Sequence, residues 1–277
     1  MNCFGYYNGQ FLKYADLKIP LSDRAIFFAD GIYDAAIGHS GRIYRYREHY
    51  KRLYHGAGEI GLELPFSEYE LRQILGELIR LSGLESYFLY FQLTAGGSVR
   101  MHERKIGVSA NLLATIKPWT MPNEKKVVSI CTAEDLRHSF CHIKTLNLLP
   151  SVLAISDAAA RGYDECVFIK NGYVTECGHS NIFAVKDGTL LTPALCRRVL
   201  PGITRRAVIS LAGSIGIAVK EVELSYTELI SADAAFITAT SRGCTAICRI
   251  DEVDICQNND IFGKISKLLR EDYVKCE

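Results

Sequence analysis

Three short segments bring together residue types that chemistry uses. In Ile143-Lys144-Thr145-Leu146-Asn147-Leu148-Leu149 a lone lysine stands among apolar neighbours. Burying an ammonium is costly, so either the head reaches water or the amine works neutral. Imine chemistry needs a neutral lysine, although a snorkelling lysine is the commoner case for such a segment alone. In Val174-Thr175-Glu176-Cys177-Gly178-His179-Ser180-Asn181-Ile182-Phe183 a carboxylate ends a strand and enters a polar, glycine-containing turn. Alone, Glu176 reads as a solvated loop acid. Paired with a lysine 32 residues earlier, it gains a second reading, because a carboxylate can hold a pyridinium nitrogen protonated. In Leu200-Pro201-Gly202-Ile203-Thr204-Arg205-Arg206-Ala207-Val208-Ile209 a Pro-Gly turn leads through Thr204 into an apolar-periodic helix. Free N–H groups at a helix start bind phosphate; the ligand-free alternative is an ordinary capped helix.

A fourth segment, Ser98-Val99-Arg100-Met101-His102, follows the strand-like Tyr87–Thr94 and a Gly96-Gly97 turn. Two residues apart on an extended segment, Arg100 and His102 face the same side. An arginine fork suits a carboxylate and a histidine adds a donor; otherwise the segment is a solvated loop.

The elements that must position these residues are an alternation of hairpins and helices. Asn8-Gly9, Asn171-Gly172 and Asp187-Gly188 each separate two strand-like runs and read as type I′ turns, since these residues tolerate positive φ. Hairpins make antiparallel sheet, which disfavours a purely parallel doubly wound fold. Ser67 and Glu70 form a capping box before Leu71, Ile74, Leu75, Leu78 and Leu81, with Phe66 and Leu71 as a staple and Gly83 as the stop. Further helices are expected from about Leu148 to Arg161, with Pro150 in the first turn and Gly162 as the stop, and over Ile261–Leu269. Two prolines in Lys117-Pro118-Trp119-Thr120-Met121-Pro122-Asn123-Glu124 mark the best domain break. The expected organisation is α+β in two lobes: residues 1–117, a linker over 118–124, and residues 125–277.

The 277 residues suit two lobes, and 48% hydrophobic with 23% charged residues is a globular balance. A formal net charge of +1 argues against a nucleic-acid footprint. No apolar run approaches the ~18 residues that cross a bilayer, and the first ten residues are not a signal peptide. The ten cysteines include no C-x-x-C pair. Reduced thiols in a cytoplasmic protein are therefore expected, with no metal site, as Cys244 and Cys248 have no suitably spaced partners.

Taken together, K-x-L-N-L-L, T-E-x-x-x-S-N-x-F and G-I-T-R, in this order and at these separations, resemble the fold-type IV pyridoxal-phosphate enzymes, the class IV aminotransferase family. The resemblance covers nearly the whole chain and is nearest to the D-amino acid aminotransferases. It implies a two-domain fold with pyridoxal 5′-phosphate in the interdomain cleft. Lys144, in the second lobe, matches the Schiff-base lysine and proton shuttle, and Glu176 the partner of the pyridine nitrogen. Arg52, Ile203, Thr204 and Thr240 match the phosphate ligands, and Leu200 the residue under the ring. Ala239 stands where that family has a serine, which removes one hydroxyl contact. Tyr33, Arg100 and His102 match the trap for the substrate α-carboxylate, with Arg100 and His102 coming from the neighbouring subunit of a homodimer. His142, Gly178, His179 and Arg242 depart from the pattern around the pocket. His179 either approaches the cofactor or points to solvent. The implied reaction moves an amino group between an amino acid, foremost a D-amino acid such as D-alanine, and a 2-oxo acid. Aminodeoxychorismate lyase, branched-chain L-amino acid transamination and a non-catalytic member of the fold are the alternatives.

Overall fold

The computed structural model describes residues 3–123, 125–257 and 259–274. The chain divides into two compact units. The first runs to Thr120 and takes in Ile143–Asn147; the second holds Met121–His142 and the chain from Leu148 onward. Glu124 of the expected linker and Cys276 lie outside the described residues.

The first unit is a sheet of strands β1 (Phe4–Tyr7), β2 (Gln10–Lys13), β3 (Gly31–His39), β4 (Arg42–Ile43), β5 (Ser86–Thr94) and β6 (Asn111–Pro118), in the order β2-β1-β6-β5-β3-β4. Its described pairs are all antiparallel. With them go helices α1 (Arg24–Phe28), α2 (Tyr46–Glu59) and α3 (Glu68–Ser82). β5 alternates as a half-buried strand should, with Tyr87, Leu89, Phe91 and Leu93 fully buried. These pack in one core with Leu53 and Ala57 of α2 and Leu71, Leu75 and Leu78 of α3. The capping box forms as expected: Ser67 Oγ accepts from Glu70 N at 3.2 Å, and the Glu70 carboxylate accepts from Ser67 N at 2.7 Å. Gly83 closes α3 at φ 63°. Pro118, expected in the linker, instead ends β6 opposite Tyr87.

Asp34 ties α2 to β3. This fully buried carboxylate lies 2.7 Å from His49 Nδ1 and accepts from Arg52 Nε at 2.8 Å and Nη2 at 2.7 Å. Burial alone would raise its pKa, but the charges and hydrogen bonds of Arg52 and His49 outweigh that and hold it below the usual carboxylate range. Ile143–Asn147 lies along the same strand. Tyr33 N donates to the Lys144 carbonyl at 2.9 Å, and Leu146 N to the Gly31 carbonyl at 3.0 Å. A Cβ on Gly31 would stand 2.4 Å from the Leu93 carbonyl and 2.9 Å from Leu146 Cδ1, so only glycine admits this approach. Lys144 therefore belongs to the first unit, not to the second lobe where the sequence placed it. Sequence order put it past the proline break, but its backbone bonds and the buried Ile143 return it to β3.

The second unit contains β7 (Val127–Glu134), α4 (Leu149–Ala160), β8 (Glu165–Lys170), β9 (Tyr173–Cys177), β10 (Asn181–Lys186), β11 (Thr189–Pro193), α5 (Ile203–Ser214), β12 (Val219–Val222), α6 (Tyr226–Ile230), β13 (Ala234–Ala239), β14 (Gly243–Ile250), β15 (Val253–Asp254) and α7 (Asp260–Val274). The sheet order is β12-β11-β10-β13-β14-β7-β8-β9, with β15 on β14. The sheet is mixed: β11–β12, β14–β7 and β7–β8 are parallel, the hairpin pairs β8–β9, β10–β11, β13–β14 and β14–β15 are antiparallel, and β10 pairs antiparallel with β13 across a long connection. The residues at the Asn8-Gly9, Asn171-Gly172 and Asp187-Gly188 turns all have positive φ, as expected. β8, β10 and β13 are buried in continuous runs, the mark of strands covered on both faces. Ile182, Ala184, Ala235 and Ile237 share one core, while Phe183 stacks on Phe236 at 5.1 Å and Phe262 of α7 covers Phe236 at 5.3 Å.

Two stability predictions follow from the first unit. Ser67→Ala should cost about 1 kcal/mol in denaturant unfolding through loss of the cap. Asp34→Asn, which strands a buried guanidinium, should cost about 3–5 kcal/mol. The pKa of Asp34 is lower in the folded than in the unfolded chain. Its stabilisation is thus complete above about pH 4 and is lost as pH falls further. The acid loss of stability should be shallower in Asp34→Asn than in the wild type.

Candidate active site

In the first unit the structure brings Lys144 and Tyr33 together. The half-buried lysine places Nζ 4.4 Å from the Tyr33 ring centroid, and Tyr33 stacks on Tyr90 at 5.4 Å. The amine thus lies over an electron-rich aromatic face. Arg52, expected on a phosphate, has its guanidinium plane set by two hydrogen bonds to Asp34. His49 Nε2, on the far side of the ring that faces Asp34, is buried with no hydrogen-bond partner. Arg100 and His102 are exposed and share one neighbour: the Arg100 guanidinium is 5.5 Å from the Phe28 ring and the His102 ring is 5.2 Å from it. Among the described residues no hydrogen bond or ring contact joins either of them to Tyr33. Their loop is shaped by a residue that sequence reasoning missed. Buried Arg24 pairs with Asp30 at 2.7 Å and donates to the carbonyls of Met101 at 2.7 Å and His102 at 2.9 Å. The local pattern offers only Asp30, six residues on; the carbonyls of Met101 and His102 that Arg24 holds lie more than seventy residues away.

In the second unit Glu176 stands next to the end of β9 with its side chain only 9% exposed. Oε1 accepts from Arg137 Nη1; Oε2 accepts from Leu200 N at 2.9 Å and Asn181 Nδ2 at 3.2 Å. Glu176 and Leu200, both expected site residues, are therefore joined. Arg137 is itself gripped by Asp135, through Nε at 3.0 Å and Nη2 at 2.9 Å, and lies over the Phe168 ring at 4.4 Å. Asp135 and Arg137 were not found from the sequence; their only local signal is an acid and a base two residues apart.

Ile203 and Thr204 are buried at the start of α5. Gly202 caps that helix without a side-chain hydrogen bond, and its first turn has no acidic residue. A Cβ on Gly202 would stand 2.0 Å from Asn181 Oδ1, so the chain passes Asn181 only as glycine. Thr240 occupies the turn between β13 and β14, closed by Arg242 N donating to the Ala239 carbonyl at 3.1 Å. Asn181 pairs with Thr238 across the strands, so this turn and the loop after Glu176 lie at one end of the sheet. Thr238 Oγ1 and Arg242 Nη1 are buried there without hydrogen-bond partners. An uncapped helix start and orphaned donors fit a phosphate, and a buried carboxylate fits a protonated ring nitrogen. The residues present thus fit pyridoxal phosphate.

His179 turns onto buried Glu165, with Nδ1 2.6 Å from Oε2. The ring of His142 is 6.3 Å from that of Phe140. Burial pushes the Cys141 thiol up to about 11 and the Cys177 thiol well above its ordinary value, so both are neutral near pH 7. Among the described residues no disulfide forms and no cluster could hold a metal ion. No described helix is long and apolar enough to cross a membrane.

The family described as Amino-transferase class IV matches residues 31–250. The chain is 34% identical over 275 residues to a D-alanine aminotransferase of Listeria monocytogenes, covering 97% of this chain and 95% of that one. It is 32% identical over 273 residues to a D-alanine aminotransferase of Staphylococcus aureus, covering 98% and 96%. The branched-chain aminotransferase of Thermoproteus uzoniensis, solved with norvaline, superposes with a TM-score of 0.90 at 26% identity, covering 99% of this chain and 97% of that one. With this match over most of its length, and with residues that suit the cofactor, the chain belongs to the class IV aminotransferases and is a pyridoxal phosphate-dependent transaminase.

Proposed function

We propose that this transaminase exchanges an amino group between a D-amino acid, with D-alanine foremost, and a 2-oxo acid such as 2-oxoglutarate or pyruvate. The observation that carries the substrate reading is the likeness to D-alanine aminotransferases over nearly the whole chain. Arg100 and His102 support it, because an arginine fork beside a histidine suits an α-carboxylate. In this reading Lys144 anchors the cofactor. Arg52, Ile203, Thr204 and Thr240 hold the phosphate, Leu200 packs under the ring, and Glu176 faces the ring nitrogen. Bound pyridoxal phosphate supplies the electron sink for the carbanion left when the α-proton departs. Lys144 Nζ takes that proton as general base and later returns it. Tyr33, with the partner subunit's Arg100 and His102, holds the substrate carboxylate.

The reading includes a cytoplasmic homodimer. The exposed apolar residues Leu149, Val152 and Leu153 of α4 are surface that a second copy would cover. Ten cysteines without a C-x-x-C pair suit a reducing compartment.

The reading is tested by offering the purified enzyme D- and L-amino acids with 2-oxoglutarate or pyruvate and following product. D-alanine should be the preferred donor. A preference for branched-chain L-amino acids, or pyruvate release from aminodeoxychorismate, would transfer the assignment to those activities. Lys144→Ala should lower the transamination rate at least about 10²-fold, the contribution of a positioned base. Arg100→Gln should raise KM for the amino donor roughly 10–100-fold while kcat changes less, as expected for a lost charged hydrogen bond to substrate.

A further inference from the structure

The surroundings of Glu176 present a problem of charge. A carboxylate gripped by an arginine is a neutral pair, and a neutral pair has little hold on a cation. Yet Arg137 donates directly to Glu176 Oε1. Asp135 resolves this. Its side chain is fully buried and takes two donors of the guanidinium, Nε at 3.0 Å and Nη2 at 2.9 Å, while Glu176 takes Nη1. The buried trio is therefore two carboxylates around one guanidinium, with one net negative charge. In a weakly polarisable interior such a charge is felt strongly by its neighbours.

The geometry of the trio is over-determined. Asp135 N donates to the Ile169 carbonyl at 2.9 Å, and Arg137 N donates back to Asp135 Oδ1 at 3.1 Å. Thr175 Oγ1 donates to Asp135 Oδ2 at 2.9 Å, and Arg137 Nη2 donates to the Arg198 carbonyl at 3.0 Å. Burial works against ionised Asp135, but its hydrogen bonds to Arg137 outweigh this and keep it charged. Arg198 and the thiols of Cys141, Cys166 and Cys177 also face the trio; burial pushes Cys166 up to about 12 and Cys177 well above its ordinary value, so both are neutral near pH 7. Arg198 Nη1 lies 3.8 Å from Asp135 Oδ1, but its side chain is 29% exposed and water screens it. The Cys141 thiol, pushed up to about 11, is neutral.

We propose that Asp135 is a positioning residue: by neutralising Arg137 it leaves Glu176 its full negative charge, and so keeps a cationic ring nitrogen on the bound cofactor. This rests on the reading that Glu176 faces that nitrogen. Asp135 acts through Arg137 and need not touch the cofactor.

The test loads wild type and variants with pyridoxal phosphate carrying 15N in the ring. The 15N chemical shift against pH reports protonation of the nitrogen, and titration of the apoprotein gives cofactor affinity. In Asp135→Asn the nitrogen pKa should fall by about one unit or more, and the transamination half-reaction about tenfold or more, since one unit is a factor of ten. Asp135→Glu should retain the wild-type shift. The double variant Asp135→Asn/Arg137→Gln removes one negative and one positive charge, and it should return the nitrogen toward the wild-type pKa. A merely structural Asp135 would leave the double variant no better than the single one. If Asp135→Asn does not fold, the double variant decides, because it keeps the net charge. A wild-type 15N profile in folded Asp135→Asn, or no recovery in the double variant, overturns the proposal. A wild type that binds no pyridoxal phosphate overturns the functional reading instead.

Discussion

A carboxylate taken out of water must find its counter-charges inside the protein, and within each unit the candidate residues are arranged around that requirement. Asp34 meets it with Arg52 and His49; Glu176 and Asp135 meet it by sharing Arg137. Each arrangement joins two elements. Asp34 fixes α2 against β3, and the Asp135–Arg137–Glu176 trio fixes the segment after β7 against the end of β9. Because an unpaired buried charge is so costly, these groups hold their places firmly. That rigidity is what a cofactor enzyme needs from the residues that orient its chemistry.

The frame around these pairs is built for the same end. Antiparallel pairing of β3 and β5 gives the first unit a sheet against which Ile143–Asn147 lies as an added extended segment. Gly31 admits the segment, and Lys144 comes to rest over Tyr33. In the second unit the loop after Glu176, the start of α5 and the β13–β14 turn carry the remaining expected residues. Gly202 and Asn181 fit so closely that the two loops bearing them form one structure. Leu200 N then reaches Glu176, so a backbone donor joins the side chains of Arg137 and Asn181 in setting the acid.

What was legible in the sequence was local. The type I′ turns at Asn8-Gly9, Asn171-Gly172 and Asp187-Gly188, the Ser67–Glu70 capping box, and the helices at Leu149–Ala160 and Asp260–Val274 depend on neighbours within a few residues. Lys144, Glu176 and the G-I-T-R helix start could be named because their motifs are short and ordered. Pro118, expected in the linker, stands instead at the end of β6 opposite Tyr87, a pairing with β5 that the two prolines alone did not reveal.

The sequence by itself determined which residue types are available: one lysine in an apolar segment, one acid entering a turn, one helix started by a Pro-Gly turn, and the family that this set resembles. Only the tertiary structure decided the company these residues keep. It returned Lys144 to the first unit through backbone bonds to β3, turned His179 onto Glu165, and braced the loop of Arg100 and His102 on Arg24. It also placed Asp135 and Arg137 behind Glu176. Contacts such as Arg137–Glu176 and Arg24–His102 join residues tens of positions apart. No spacing rule records them, because they are selected by burial, and burial exists only once the chain has folded.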